Sequence, residues 1–164
     1  MNATFTERRN AMAENSSMTG EKIYEFDLDI KGVTDYGVTM DAILSGKQKV
    51  PPQGAQFDIA FEGPGKGRLA SRARGVDHLR MRADGRVDLN IHATLETDEG
   101  QRIAMTADAV VVLRAGEPGI ADLRENVYLT TAAADYAWVN ARQIWAVGTV
   151  NFAVGKIHVE GCLQ

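Results

Sequence analysis

The chain has a single cysteine, Cys162, so no disulfide can close within it and the fold must rest on burial and hydrogen bonding. It has no uninterrupted apolar run of the ~18 residues that a membrane-spanning helix requires. Its start shows no apolar stretch of the signal-peptide kind, and the expectation is a cytoplasmic protein with no membrane partner. Basic residues are in deficit: 18 Lys and Arg against 22 Asp and Glu give a formal net charge of -4. That balance argues against broad phosphate-backbone binding, and no nucleic-acid partner is expected.

Several catalytic signatures are also lacking. Gly63-Pro64-Gly65-Lys66-Gly67 reads as a turn and shares only its glycine content with a phosphate loop. No serine sits in a nucleophile elbow, and no dinucleotide-binding fingerprint occurs. His78, His92 and His158 fall on separate segments without paired spacing, so no metal and no cofactor are expected.

Long helical periodicity is scarce as well, and what fills the chain instead is alternation. Tyr24, Phe26, Leu28 and Ile30 alternate with Glu25, Asp27, Asp29 and Lys31. Phe57, Ile59 and Phe61 alternate with Asp58, Ala60 and Glu62, and the pattern returns over 102–113 and 156–163. Period-two alternation places apolar side chains on one face of a strand. Further strands are expected at 37–44, 67–74, 76–82, 127–131 and 143–150, with a single helical turn at 120–125. Residues 1–20 are polar and read as a tail or short helix, and 21–164 read as one domain. At this length a chain buries roughly two thirds of its unfolded surface.

About nine or ten short strands without long helices point to an antiparallel barrel or sandwich. The barrel is favoured, because several strands carry polar residues on both faces and a barrel can enclose a mixed pocket.

The most informative strand lies between two glycine turns, Asp84-Gly85 and Asp98-Glu99-Gly100. Val87, Leu89, Ile91, Ala93 and Leu95 share one face; Asp88, Asn90, His92, Thr94 and Glu96 share the other. The polar row is either a wet surface or a pocket wall. If it is a wall, His92 is the natural general acid or base, since imidazole titrates near working pH. Asp77 shares a face with Leu79 and Met81, so its carboxylate must be paired or carry a raised pKa. It is the candidate base, or the residue that orients His92. Tyr136, Trp138 and Asn140 at spacing two would line one face of an extended segment as an aromatic wall ending in an amide. Tyr128 and Thr130 would extend the polar lining, and Asn90 with Asn140 would hold a substrate oxygen. Arg68, Arg72, Arg74, Arg80 and Arg82 are read as a solvated outer face, with an anion site as the alternative.

Three segments together resemble the bacterial family catalogued as domain of unknown function 3237. They are Gly75-Val76-Asp77-His78, the 84–100 run, and Tyr136-Ala137-Trp138-Val139-Asn140 followed by Val147-Gly148, with Pro52-x-Gly54 fitting as well. The resemblance covers about residues 21–163. It implies a single antiparallel β-barrel of about 8–10 strands, broadly of the lipocalin and allene oxide cyclase architecture, and no established chemistry. His92 stands where the family usually has Arg, and Asn90 where it usually has Asp. The segment before Tyr136 is shorter and lacks the usual Pro-x-Phe.

The expectation is a cofactor-free isomerase, cyclase or lyase acting by acid–base catalysis on a small, partly apolar carbonyl or aromatic metabolite. The alternatives are a barrel that binds a small molecule without chemistry, and a filled barrel acting through its outer surface. A homodimer is compatible with the pattern.

Overall fold

The computed structural model describes residues 20–164. The expected tail and its helix lie outside the described residues.

Eight strands form a closed, all-antiparallel up-and-down barrel. They are β1 (Lys22–Asp35), β2 (Ala55–Lys66), β3 (Ser71–Met81), β4 (Val87–Glu96), β5 (Arg102–Leu113), β6 (Ile120–Thr130), β7 (Ile144–Asn151) and β8 (Lys156–Leu163). Each pairs with its neighbours in sequence, and β1 closes the ring against β8, with Phe26 opposite Val159. Closure satisfies every strand edge, which an open sheet of this size would leave unpaired.

The alternation visible in the sequence sets which face is inside. On β4, Val87, Leu89, Ile91 and Leu95 are buried, while Asn90, His92, Thr94 and Glu96 are exposed. On β5, Ile103, Met105, Ala107, Ala109 and Val111 are buried and alternate with neighbours that are exposed or, at Val110, half-buried. The inward rows of all eight strands form one apolar core.

Large rings enter that core where glycines make room. A Cβ on Gly161 would lie 2.2 Å from the Tyr24 ring, and one on Gly65 would lie 2.2 Å from the Phe26 ring. The two aromatic rings tilt against each other at a centroid distance of 4.9 Å.

Four expectations differ from the structure. Residues 37–44 form no strand: Thr39 caps a short helix α1 (Met40–Leu44), its hydroxyl accepting from the Ala42 amide at 3.2 Å. That N-cap satisfies an otherwise orphaned amide, and Met40 is buried beneath it. Residues 120–125 are not a helical turn but the first half of β6, a strand whose inward side chains are Ala121, Leu123, Glu125, Val127 and Leu129. The turn expected at Gly63–Gly67 comes later, because β2 runs through Pro64 to Lys66. Pro64 has no amide hydrogen, and the β1–β2 pairing is interrupted between Phe26–Gly65 and Asp29–Glu62. The two short strands expected over 67–74 and 76–82 are one continuous strand, β3.

Among the described residues, no helix is long and apolar enough to cross a membrane.

Candidate functional site

Two carboxylates face the barrel interior. Asp77 lies midway along β3, opposite Ile59 of β2 and Ile91 of β4. Glu125 lies midway along β6, opposite Ala109 of β5 and Ala146 of β7. Each is 8% exposed. Among the described buried residues they are the only charged types, so no Lys, Arg or His is buried with them.

Tyr24 joins them from β1, fully buried. The Tyr24 hydroxyl, Asp77 Oδ1 and Glu125 Oε2 are buried without a hydrogen-bond partner. Such groups are costly, since burying an unmatched polar atom forfeits its hydration.

Their protonation follows from that setting. Burial pushes the Asp77 carboxyl up to about 8, and the nearby Glu125 charge adds to the shift. Burial alone pushes Glu125 up to about 7. Burial and the Glu125 charge raise Tyr24 well above the usual phenol range. Between pH 7 and 8 the pair therefore retains about one proton. Glu125 is the group that ionises first and Asp77 the group that stays a neutral acid. Environments that separate two titrating groups in this way supply a base and an acid in one interior.

The cross-strand neighbours of Glu125 are small. Alanines flank it on both neighbouring strands. Beside Asp77 on β3, Gly75 faces Ala93 of β4, and a Cβ there would lie 2.6 Å from the Ala93 Cβ.

The barrel mouth beside α1 carries a groove of about 520 Å³. Its lining includes Ile30 of β1, Met40 and Leu44 of α1, and Phe152. A second groove of about 540 Å³ lies over β4–β7. There, outward side chains such as Asp108, Arg124 and Trp145 stand around a floor of barrel wall at Ala109, Glu125 and Ala146.

His92 does not share the interior with Asp77. It stands outside the barrel beside Val76, and its Nε2–H donates to the Asn90 side-chain Oδ1 at 2.8 Å. Asn90 in turn donates to Asp108 at 3.3 Å. The His92 ring meets the edge of His78 at 5.9 Å between centroids. His78 is tied to Asp58 at 2.7 Å, and Tyr36 donates to the same carboxylate at 2.6 Å. The polar row of β4 is thus the wet face, because one residue of offset reverses the side of a strand. A proton relay between His92 and Asp77 would have to cross the barrel wall.

Tyr136, Trp138 and Asn140 do not share one strand face either. They lie on and just after a 3-10 helix (Ala134–Val139), where a spacing of two no longer aligns side chains. Asn140 serves the backbone: its amide group donates to the Thr131 carbonyl and accepts from the Thr131 amide, both at 2.8 Å. Trp138 packs under the Arg68 guanidinium at 3.9 Å, and the Tyr136 hydroxyl donates to Glu99 at 3.3 Å. Tyr128 and Thr130 do share a face, but it is the outer one, where Asn126 donates to the Tyr128 oxygen at 2.7 Å.

The arginine-rich stretch follows the solvated reading at several positions. Arg72 pairs with Glu62, Arg82 with Asp84 at 2.5 Å, and Arg68 with Glu21 at 3.3 Å.

One group of metal-type ligands occurs among the described residues: Glu25, His158 and Glu160, on the outer face. The Lys22 ammonium already bonds Glu25 at 3.1 Å and Glu160 at 3.4 Å, and Asp27 holds His158 Nδ1 at 2.7 Å. This is a surface ion-pair network.

A family model described as a protein of unknown function, DUF3237, matches residues 58–160. The chain belongs to the DUF3237 family. Both lumen carboxylates fall within the matched segment, and Tyr24 lies before it. No curated protein matches the chain by sequence. Among solved structures, the chain is similar to a β-barrel-like protein of Acinetobacter baumannii AYE. The TM-score is 0.67 at 18% identity, covering 89% of this chain and 96% of that one. It is similar to a protein of unknown function from Clostridium acetobutylicum ATCC 824, with a TM-score of 0.70 at 14% identity, covering 90% and 99%. It is also similar to an enzyme from Penicillium herquei, with a TM-score of 0.60 at 16% identity, covering 92% and 99%. At these identities the likeness is one of fold.

Proposed function

We propose that this DUF3237 protein is a cofactor-free acid–base catalyst that moves a proton next to a carbonyl group of a small, largely apolar molecule held in the barrel. The observation that carries the reading is the convergence of three buried, unpartnered groups in an apolar lumen: Tyr24, Asp77 and Glu125. Their cost to stability is of the kind that functional sites bear.

In this reading the Glu125 carboxylate removes a proton from the carbon beside the carbonyl. The electron pair moves onto the oxygen, where the Asp77 carboxyl and the Tyr24 hydroxyl donate hydrogen bonds to the enolate. Return of the proton at another carbon yields an isomer; departure of a β-substituent yields elimination. A neutral acid stabilises such an oxyanion only where water is kept out, and the apolar lumen supplies that condition. The groove beside α1 is the entrance this reading favours, since it reaches Ile30 of the inward row. The Penicillium herquei neighbour gives modest support, as an enzyme built on a similar barrel.

The test is deuterium uptake from D2O into a panel of aryl alkyl ketones and cyclic enones, followed by mass spectrometry. Wild-type protein should accelerate exchange over buffer at pH 7.5, and Glu125→Gln should abolish the acceleration. Exchange equal in wild type and Glu125→Gln would refute the assignment. Saturable ligand binding without exchange would favour the non-catalytic binding barrel.

A further inference from the structure

The outer wall of the barrel carries a patch that the proposed chemistry leaves unused. On the outward face of β5, β6 and β7, Val110, Arg124 and Val147 stand in one cross-strand row, and Asp108, Asn126 and Trp145 stand in the next. These six residues border the groove of about 540 Å³ over β4–β7. Trp145 is half-exposed, and so are Val112 and Tyr128, which lie on the same face in the rows to either side. Large apolar side chains grouped in water mark a contact surface. No lysine lines the groove, while Trp and Arg do, which is the composition of a protein interface. Closure of the ring leaves no strand edge for a partner to extend, so a partner must dock on such a face.

The charges of the patch say which partner fits. Arg86 and Asp88 at its edge satisfy each other at 2.6 Å. Arg124 makes no salt bridge among the described residues. Its Nη1 donates to the Leu123 carbonyl at 2.6 Å, and Asp122, the acid before it on the same face, is held by Arg114 at 2.7 Å. Asp108 accepts from the Asn90 amide at 3.3 Å and makes no salt bridge among the described residues. One face thus presents one free cation and one free anion, a strand and a row apart, and a second copy of the same face complements both. In an isologous pair the two-fold axis lies in the plane of contact. An axis midway between Arg124 and Asp108, at right angles to the line joining them, sets each guanidinium against Asp108 of the other copy, twice over. With strands ~4.8 Å apart and ~6.8 Å between alternate residues, that axis runs close to Trp145 and Val110. Each of these side chains then meets its own counterpart.

We propose that this face joins two copies of the chain in a two-fold dimer, with Trp145 near the axis and reciprocal ion pairs between Arg124 and Asp108. The inference stands apart from the lumen chemistry, because the Asp77 and Glu125 side chains point to the other side of the barrel wall.

The experiment is sedimentation equilibrium of the full-length protein at micromolar concentrations and pH 7.5. The expected mass is twice the 17.8 kDa of the chain. Trp145→Glu, which brings two carboxylates together at the axis, should weaken dimerisation at least tenfold. Arg124→Glu and Asp108→Arg should each weaken it by a similar factor, since each sets like charges against each other across the contact. The Arg124→Glu/Asp108→Arg double variant reverses both pairs and should restore dimerisation to within about threefold of wild type. Thermal melting in the same buffer confirms that each variant is folded, and Trp145→Ala replaces Trp145→Glu if the latter melts early. A wild-type mass of one chain, or of three or more, would overturn the inference. A dimer that persists unweakened in any of the folded single variants would overturn it as well. So would a double variant as dissociated as the single charge variants.

Discussion

The charge of Glu125 on β6 raises the pKa of Asp77 on β3, so the two carboxyl groups act on each other through the barrel interior. Neither buried oxygen, Asp77 Oδ1 or Glu125 Oε2, has a hydrogen-bond partner. The pair is therefore both the chief local cost in the core and its main chemical resource.

That cost makes stability depend on pH in a specific direction. In the unfolded chain both carboxyls ionise near pH 4. In the folded protein Asp77 ionises at about 8 and Glu125 at about 7. Between those limits the folded state holds more protons than the unfolded one, so stability falls as pH rises, by about 1.4 kcal/mol per pH unit for each group. The contribution is flat below about pH 4 and flat again above about pH 8. Urea denaturation from pH 5 to 8 should show this decline, and Asp77→Asn and Glu125→Gln should each make it shallower. Parallel pH curves for the variants and wild type would contradict it.

The outer position of His92 has its own consequence. Its ring bonds Asn90 and touches His78 in solvent, so His92→Ala should change stability by no more than about 0.5 kcal/mol. It should also leave any proton-transfer rate unchanged. Loss of exchange activity in His92→Ala would return the catalytic role to the outer face.

Much of this arrangement could be read from the residues. The two faces of β4, the bounds of β5 and β8 and the inward direction of Asp77 all follow from period-two alternation. The side on which β4 turns its polar row could not be read, because that depends on closure of the ring. Glu125 was hidden for a different reason. Leu123, Glu125 and Val127 alternate with Arg124 and Asn126, so a charged residue sits in an inward row. With Ile120-Ala121-Asp122-Leu123-Arg124-Glu125 taken as a helical turn, the alternation is lost. Extending the strand signal of residues 127–131 backward would have exposed it. Tyr136, Trp138 and Asn140 were misplaced because a 3-10 helix changes which residues align. Tyr24 falls in the apolar row of its strand, but nothing in its own segment says that its hydroxyl lacks a partner.

Tight packing around Tyr24 predicts a large local cost. A Cβ at position 161 would lie 2.2 Å from the ring, and the ring is fully buried. Gly161→Ala should therefore destabilise the fold by about 1–3 kcal/mol, the usual range for overpacking. Tyr24→Phe, which removes only the unpartnered hydroxyl, should be neutral or stabilising. Urea midpoints of the two variants check both statements.

Asn140 offers the contrasting case of a purely structural residue. Its side chain makes two hydrogen bonds to the Thr131 backbone at 2.8 Å. Asn140→Ala should lower stability by about 1–3 kcal/mol, the cost of leaving such groups unmatched, while the pH dependence keeps its wild-type slope. A changed slope would mean that this loop communicates with the lumen pair.

The most direct measurement is carboxyl 13C NMR on protein labelled at Asp and Glu, titrated from pH 3 to 10, with Asp77→Asn and Glu125→Gln used to assign the two resonances. The account predicts midpoints of about 8 for Asp77 and about 7 for Glu125. Midpoints near 4 for both would mean that the carboxylates are hydrated or paired, and would contradict a lumen that holds a proton at neutral pH.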